Sequence, residues 1–329
     1  MRVFLTIVIS ANLLMLIAMT VFLVARYVPI ITNLFMNVTI RRVQDGDERS
    51  RGEDVSFETA DGVRLVGTLG PPRDFRGSTP VVVFCHEFTS NRHSAVKYAR
   101  FLEQAGFRVF TFDFRGHGDS DCPGGYAPRQ WVTQYELADL RAALSYLRSR
   151  DDVRGSRVAL FGVSRGAAVA IVAASNDPDV ACVACDGAFS TSHTLKSYMR
   201  RWAPIFVERH VLVLSRLEWV LSLFRWAGTK LAEHRLGVRF VQLSAALRNL
   251  KQPILMIHGH EDGYVEVQQV KLLTELVGAP KELWIVPGAD HNRAVEVAPS
   301  EYRQRLVRFL RSKLKTRGSE LKSPTTLEL

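Results

Sequence analysis

The sequence predicts an α/β protein: a mostly parallel central sheet flanked by helices, interrupted by a helical insertion and preceded by an apolar anchor. Three observations carry that expectation. Short, continuous apolar runs recur along the chain, each followed by a loop and a helical pattern, as buried parallel strands and their crossovers require. Within Val3 to Val24 only Thr6, Ser10, Asn12 and Thr20 interrupt the apolar residues, and no charge occurs. Between Ser190 and Lys251 the alternation of strand and helix stops.

The N-terminal run is long enough to cross a hydrocarbon layer about 30 Å thick. A cleaved signal peptide competes with this reading, but the run is long and no small-x-small site ends it, so an uncleaved anchor over 1–26 is expected. Arg2 precedes the segment while Arg26, Arg41 and Arg42 follow it, which leans toward a cytoplasmic body. A polar linker completes 27–54. "VSFETADGVRLVGTLGPP" reads as a hairpin turning at Asp61-Gly62 and closed by Pro71-Pro72. "PVVVFC", "FRVFTFDF", "RVALFG", "VACVACD", "PILMIHG" and "ELWIVPG" are the strand runs that follow. Helices are expected at Ala95–Gln104, Trp131–Arg150, Ala167–Ala174, Gln268–Leu276 and Gln304–Lys315. The expected organisation is therefore a core in two parts, 55–189 and 252–315, split by a cap at 190–251 and ended by a tail at 316–329.

Charge and cysteine content narrow the function classes. The net charge of +10 comes from 43 Lys and Arg against 33 Asp and Glu. The insertion alone holds eleven Lys and Arg, three Glu and no Asp, together with Trp202, Trp219 and Trp226. Its span "HVLVLSRLEWVLSLFRWAG" is nearly long enough to enter a bilayer, but Arg216, Glu218 and Arg225 make insertion costly. Two readings stay open: helices lying at a membrane surface, or a cap whose apolar face packs on the core. A basic surplus in an apolar, tryptophan-bearing cap disfavours nucleic acid as partner. The four cysteines are too few and scattered for a disulfide scaffold. Cys182 and Cys185 mimic a CxxC motif, yet three residues apart on a strand they face opposite ways. No phosphate loop, dinucleotide fingerprint or metal-ligand spacing appears, so no cofactor is expected.

The chemistry concentrates in "GVSRG". It closes a buried strand and opens a helix, so its glycines permit a tight turn that exposes the Ser164 hydroxyl. A serine needs a base to take its proton, and His291 in "PGADHNR" follows the last strand run. The base needs an acid, and Asp262 in "HGHEDGYV" follows the preceding run. Asp186, ending "VACVACD", is the rival acid. His86, His258 and His260 also sit at strand ends, with structural roles expected, and Arg115 and His117 are expected to order their loop.

With Ser, Asp and His in that order at strand ends, the chain from about Val55 to Leu314 resembles the α/β-hydrolase superfamily. With its anchor it is similar to the membrane-anchored, Bem46-like hydrolases. The resemblance implies the α/β-hydrolase fold, with Ser164 as nucleophile, Asp262 as acid and His291 as base. It also implies an oxyanion hole from the backbone N–H groups of Phe88, in "HEF", and Arg165. The family usually has glycine where Glu87 stands, a side chain that could narrow the site or add charge. "FDFRGHGDSD" matches a loop common in lipases and esterases. A serine nucleophile sets aside the dehalogenase and epoxide-hydrolase branches, which use a carboxylate. The expected activity is hydrolysis of carboxylic or thio-esters with apolar acyl groups, a lipid-like small molecule being the partner. A serine peptidase or acyltransferase on this scaffold, or a non-catalytic interaction module, is the alternative.

Overall fold

The computed structural model describes residues 1–36, 48–72, 79–209, 212 and 217–314. Arg41, Arg42, Arg216, part of the linker and the tail from Lys315 onward lie outside these. Eight strands form one sheet: β1 (Glu53–Glu58), β2 (Arg64–Leu69), β3 (Val81–Cys85), β4 (Arg108–Phe112), β5 (Val158–Val163), β6 (Val180–Asp186), β7 (Ile254–Gly259) and β8 (Lys281–Val286). Their order is β1-β2-β4-β3-β5-β6-β7-β8. The β1–β2 hairpin is antiparallel and β2 runs antiparallel to β4, whereas every pairing from β4 to β8 is parallel. Strands β3, β4 and β5 are buried along their whole length, which is why β3 and β5 read as unbroken apolar runs, while β4 also buries Arg108 and Thr111.

The helices, in chain order, are α1 (Arg2–Met36), α2 (Ala95–Tyr98), α3 (Arg100–Gln104), α4 (Gln134–Ser149), α5 (Arg165–Ser175), α6 (Thr191–Phe206), α7 (Glu218–Leu236), α8 (Leu243–Asn249), α9 (Val267–Glu275), α10 (Ala294–Val297) and α11 (Pro299–Leu314). The last helix begins at Pro299 rather than at the expected Gln304, and two others differ from the sequence pattern for local reasons. The helix expected from Ala95 is broken at Ala99, whose φ of −134° is non-helical. The helix expected from Trp131 begins three residues later, because Thr133 caps it: Tyr135 N–H donates to the Thr133 hydroxyl, and Glu136 reaches back to the Thr133 N–H at 2.7 Å. Trp131 and Val132 instead lie outside the helix, and Thr133 is extended and bridges Phe240.

Cores lie on both sides of the sheet. Cys182 packs with one and Cys185 with the other, both thiols free, as their three-residue spacing on β6 demands. A third cluster, containing Phe35, Trp131, Phe189 and Phe240, joins the insertion to the body. Helix α8, inside the span read as a cap, packs Leu243, Ala246 and Leu247 into the main core beside α5.

Helix α1 is long and apolar enough to cross a membrane. It runs ten residues beyond the expected anchor. From Phe4 to Phe22 every residue is exposed, whereas Leu23, Tyr27, Val28, Ile31 and Phe35 are buried. The buried half packs on α7. Gly228 makes the approach possible, since a Cβ there would stand 2.6 Å from the Ile31 side chain. In turn α7 turns Val220, Leu221 and Ala232 inward and leaves Trp219 and Trp226 exposed.

Candidate active site

The turn from β5 into α5 shapes the site. Ser164 has φ 52° and ψ −114°, a left-handed conformation that costs a non-glycine residue about 1–3 kcal/mol. The fold over-determines it: the Ser164 N–H donates to the Asp186 carbonyl at 2.7 Å, and α5 is clamped against two strands. The glycines serve that clamp. A Cβ at Gly162 would stand 2.4 Å from the Gly166 carbonyl oxygen, and one at Gly166 would stand 2.1 Å from that of Cys85. Both positions are therefore closed to any side chain.

Ser164 Oγ lies 2.9 Å from His291 Nε2, and His291 Nδ1 lies 2.6 Å from Asp262 Oδ2. The three residues follow β5, β8 and β7. Asp262 is the better-held carboxylate, because its Oδ1 also accepts the N–H groups of Tyr264 and Val265, both at 2.8 Å. Asp290 accepts the backbone N–H of His291 at 2.7 Å and of Gly263 at 3.2 Å, tying the two loops together. Those hydrogen bonds hold its carboxyl below the usual range.

Asp186 has a different role from the one considered for it. It is fully buried, its Oδ2 accepts the Tyr302 hydroxyl at 3.0 Å, and its Oδ1 has no partner among the described residues. Burial pushes its carboxyl up to about 7. The rival histidines are held by other groups, although His258 Nε2 also lies 3.6 Å from Asp262 Oδ2. His86 accepts the Phe114 N–H and lies 2.6 Å from the Glu87 carbonyl, and burial holds its ring well below the ordinary histidine value. His258 lies 2.7 Å from the Val265 carbonyl, inside the loop that carries Asp262, while His260 is exposed. His117 packs between the Arg115 and Phe88 carbonyls, and burial beside Arg165 pushes it down to about 3.

Arg165, first residue of α5, has a backbone N–H that no turn of its own helix can use. The side chain at this position carried no signal in the sequence, yet it is fully buried. Its guanidinium lies over the rings of Phe88 and Phe114, at 5.1 and 5.2 Å, and donates to the Arg129 carbonyl at 2.9 Å. Arg129 in turn donates to the last carbonyls of α1, those of Phe35 and Met36, each at 3.2 Å. Glu87 does not project freely into the loop: its Oε2 accepts the Ser94 hydroxyl at 2.9 Å, and burial raises its carboxyl. The loop after β4 is fixed by charge. Arg92 pairs with Asp113 and Asp119, and Arg115 with Asp61 and Asp139. Tyr264, another residue unremarked in the sequence, sets its ring 5.5 Å from that of His291.

A family model described as alpha/beta hydrolase fold matches residues 80–210. The uncharacterized protein Rv2307c of Mycobacterium tuberculosis is 30% identical over 241 residues, 73% of each chain. The alpha/beta hydrolase domain-containing protein WAV2 of Arabidopsis thaliana is 28% identical over 229 residues, 67% of this chain and 65% of its own. Among solved structures, the Pyrococcus furiosus esterase Pf2001 is similar at a TM-score of 0.64 and 27% identity, covering 84% of this chain and 98% of its own.

Proposed function

The chain belongs to the α/β-hydrolase superfamily, and from that premise we propose that it is a membrane-anchored serine hydrolase cleaving carboxylic or thio-esters with apolar acyl groups. One observation carries the reading: a serine held in a strained turn is hydrogen-bonded to a histidine that is itself hydrogen-bonded to a buried carboxylate. The name of the Pyrococcus furiosus relative, an esterase, favours an ester over an amide. The exposed apolar half of α1 supports an anchor, and the Arg26, Arg41 and Arg42 flank favours a cytoplasmic body.

In this mechanism His291 Nε2 takes the proton of Ser164 as its oxygen attacks the ester carbonyl carbon. Asp262 holds the opposite ring nitrogen protonated and stabilises the imidazolium. The N–H groups of Arg165 and Phe88 donate to the tetrahedral oxyanion, and preorganised donors of this kind are worth about 2.7–4 kcal/mol each. His291 then gives its proton to the leaving alkoxide or thiolate, leaving Ser164 acylated. Water attacks the acyl-enzyme as His291 removes its proton, and His291 returns that proton to Ser164 Oγ as the intermediate collapses and the carboxylic acid departs.

Labelling with a fluorophosphonate, beside hydrolysis of p-nitrophenyl esters, tests this. Ser164→Ala is expected to abolish labelling and to lower ester turnover by about 10³-fold or more. Equal labelling of the two proteins would place the nucleophile elsewhere.

A further inference from the structure

Between the buried half of α1 and the helices of the insertion lies an apolar cavity of about 380 Å³. Leu23 and Tyr27 of α1 line it on one side, Met199 and Ala203 of α6 on another, and Leu221 and Phe224 of α7 on the third. Its volume falls within the range of about 300–1,000 Å³ typical of small-molecule sites. The exposed Trp202 and Phe206 also line it, so the space is an open apolar cleft, and contiguous apolar surface left uncovered in this way marks a binding site.

Where the cavity lies says what that occupant is. The exposed run of α1 from Phe4 to Phe22 rises about 28 Å at ~1.5 Å per residue, close to the hydrocarbon thickness of a bilayer. Burial begins at Leu23, which is also the first α1 residue lining the cavity. Arg26 follows within one turn and pairs with Glu208 at 3.5 Å, a charge position suited to the membrane–water boundary. The cavity therefore starts where the hydrocarbon ends. Trp202 and Phe206, which line the cavity, and the neighbouring Ile205 are exposed at the end of α6, and an indole ring such as that of Trp202 favours the interfacial layer.

The inner wall is tied to the loop that carries Asp262 by hydrogen bonds, although none of Ser164, Asp262 and His291 lines the cavity itself. Helix α6 separates the cavity from that loop. The Ser197 hydroxyl donates to Glu266 at 3.0 Å, and Arg201 donates to the Gly263 carbonyl at 3.2 Å. Tyr198, which lines the cavity, has its ring 6.5 Å from Trp131, whose ring is 6.1 Å from Phe189, three residues beyond Asp186.

We propose that this cavity seats an acyl chain drawn directly from the bilayer, so that the ester presented to Ser164 belongs to a membrane lipid. The substrate half of this statement rests on the hydrolase reading above; the binding half does not. Burying a methylene contributes about 0.8 kcal/mol, so a wall built of α1 and the cap would make the enzyme selective for long chains. The anchor is then a component of the binding site as well as a tether.

Two measurements on the full chain in phosphatidylcholine vesicles test the proposal. In the first, the vesicles carry a palmitoyl phosphatidylcholine with a diazirine on its acyl chain, and crosslinked peptides are mapped after illumination. Adducts on Met199, Ala203 or Leu221, depleted in Ala203→Trp, are expected. Adducts confined to Phe4–Phe22 would overturn the proposal. This readout needs no catalysis and is made in Ser164→Ala as well, so the failure of the hydrolase reading leaves it intact. In the second, the ratio of palmitoyl to butyryl p-nitrophenyl ester hydrolysis is expected to fall about tenfold in Ala203→Trp. An unchanged ratio overturns the assignment of the chain to the substrate.

Discussion

The two halves of α1 are alike in composition and opposite in surroundings. Phe4–Phe22 is exposed on every side, although nearly all its side chains are apolar, whereas the turns from Leu23 to Met36 bury their apolar residues against α7 and the Phe35 cluster. The contrast teaches that hydropathy measures only the wish to leave water. It does not say whether lipid or protein receives the side chain. Specific packing does say so, and it is visible in the second half alone: Thr32 Oγ1 lies 3.4 Å from the Gly228 carbonyl, and the Phe35 ring packs at a tilt against Trp131 and Phe240, with centroids at 5.4 and 4.7 Å.

The largest expected difference between the halves is at their phenylalanines. Phe35→Ala is expected to cost the folded body about 3–5 kcal/mol in chemical denaturation, the penalty of emptying a packed aromatic site. Phe22→Ala in the same assay is expected to stay within about 0.5 kcal/mol, since its surroundings are the same before and after unfolding of the body. Equal losses would break the comparison. A smaller effect sharpens it: Gly228→Ala is expected to cost about 1–3 kcal/mol by forcing α7 away from Ile31, seen as a lowered thermal midpoint. Smallest is Arg129→Ala, which removes two hydrogen bonds to the end of α1 and is expected to cost about 1 kcal/mol in the same melt.

Much of the sheet could be read from the chain because buried parallel strands leave a plain mark: "PVVVFC" and "RVALFG" are short, have no alternation and are rich in β-branched and aromatic residues, as a doubly covered strand requires. Ser164, Asp262 and His291 were visible for a related reason, since each follows such a run at once. The rest lay in distances that no linear pattern encodes. Asp186 and Asp262 both end or follow strands near His291, and only the turn of the chain after β7 brings Oδ2 of Asp262 to the ring nitrogen while Asp186 meets Tyr302. The end of α1 was hidden because Arg26 resembles a membrane flank, yet the helix continues through it and through Pro29. Likewise α8 shares the apolar, basic character of the insertion, and its packing on α5 is a tertiary fact.

Arg129 binds the last carbonyls of α1 through its side chain and accepts the Arg165 guanidinium through its own carbonyl. One residue thus touches both the end of the hydrophobic helix and the residue that follows Ser164. The practical consequence concerns purification. Trimming α1 to gain a soluble protein would remove Phe35 from its aromatic niche and leave the Arg129 side chain without two acceptors, one residue away from the backbone amide expected to meet the oxyanion. If Ser164 is the nucleophile, the trimmed body is expected to differ from the whole chain in its kinetics, so the constants should be measured on the version that keeps its helix.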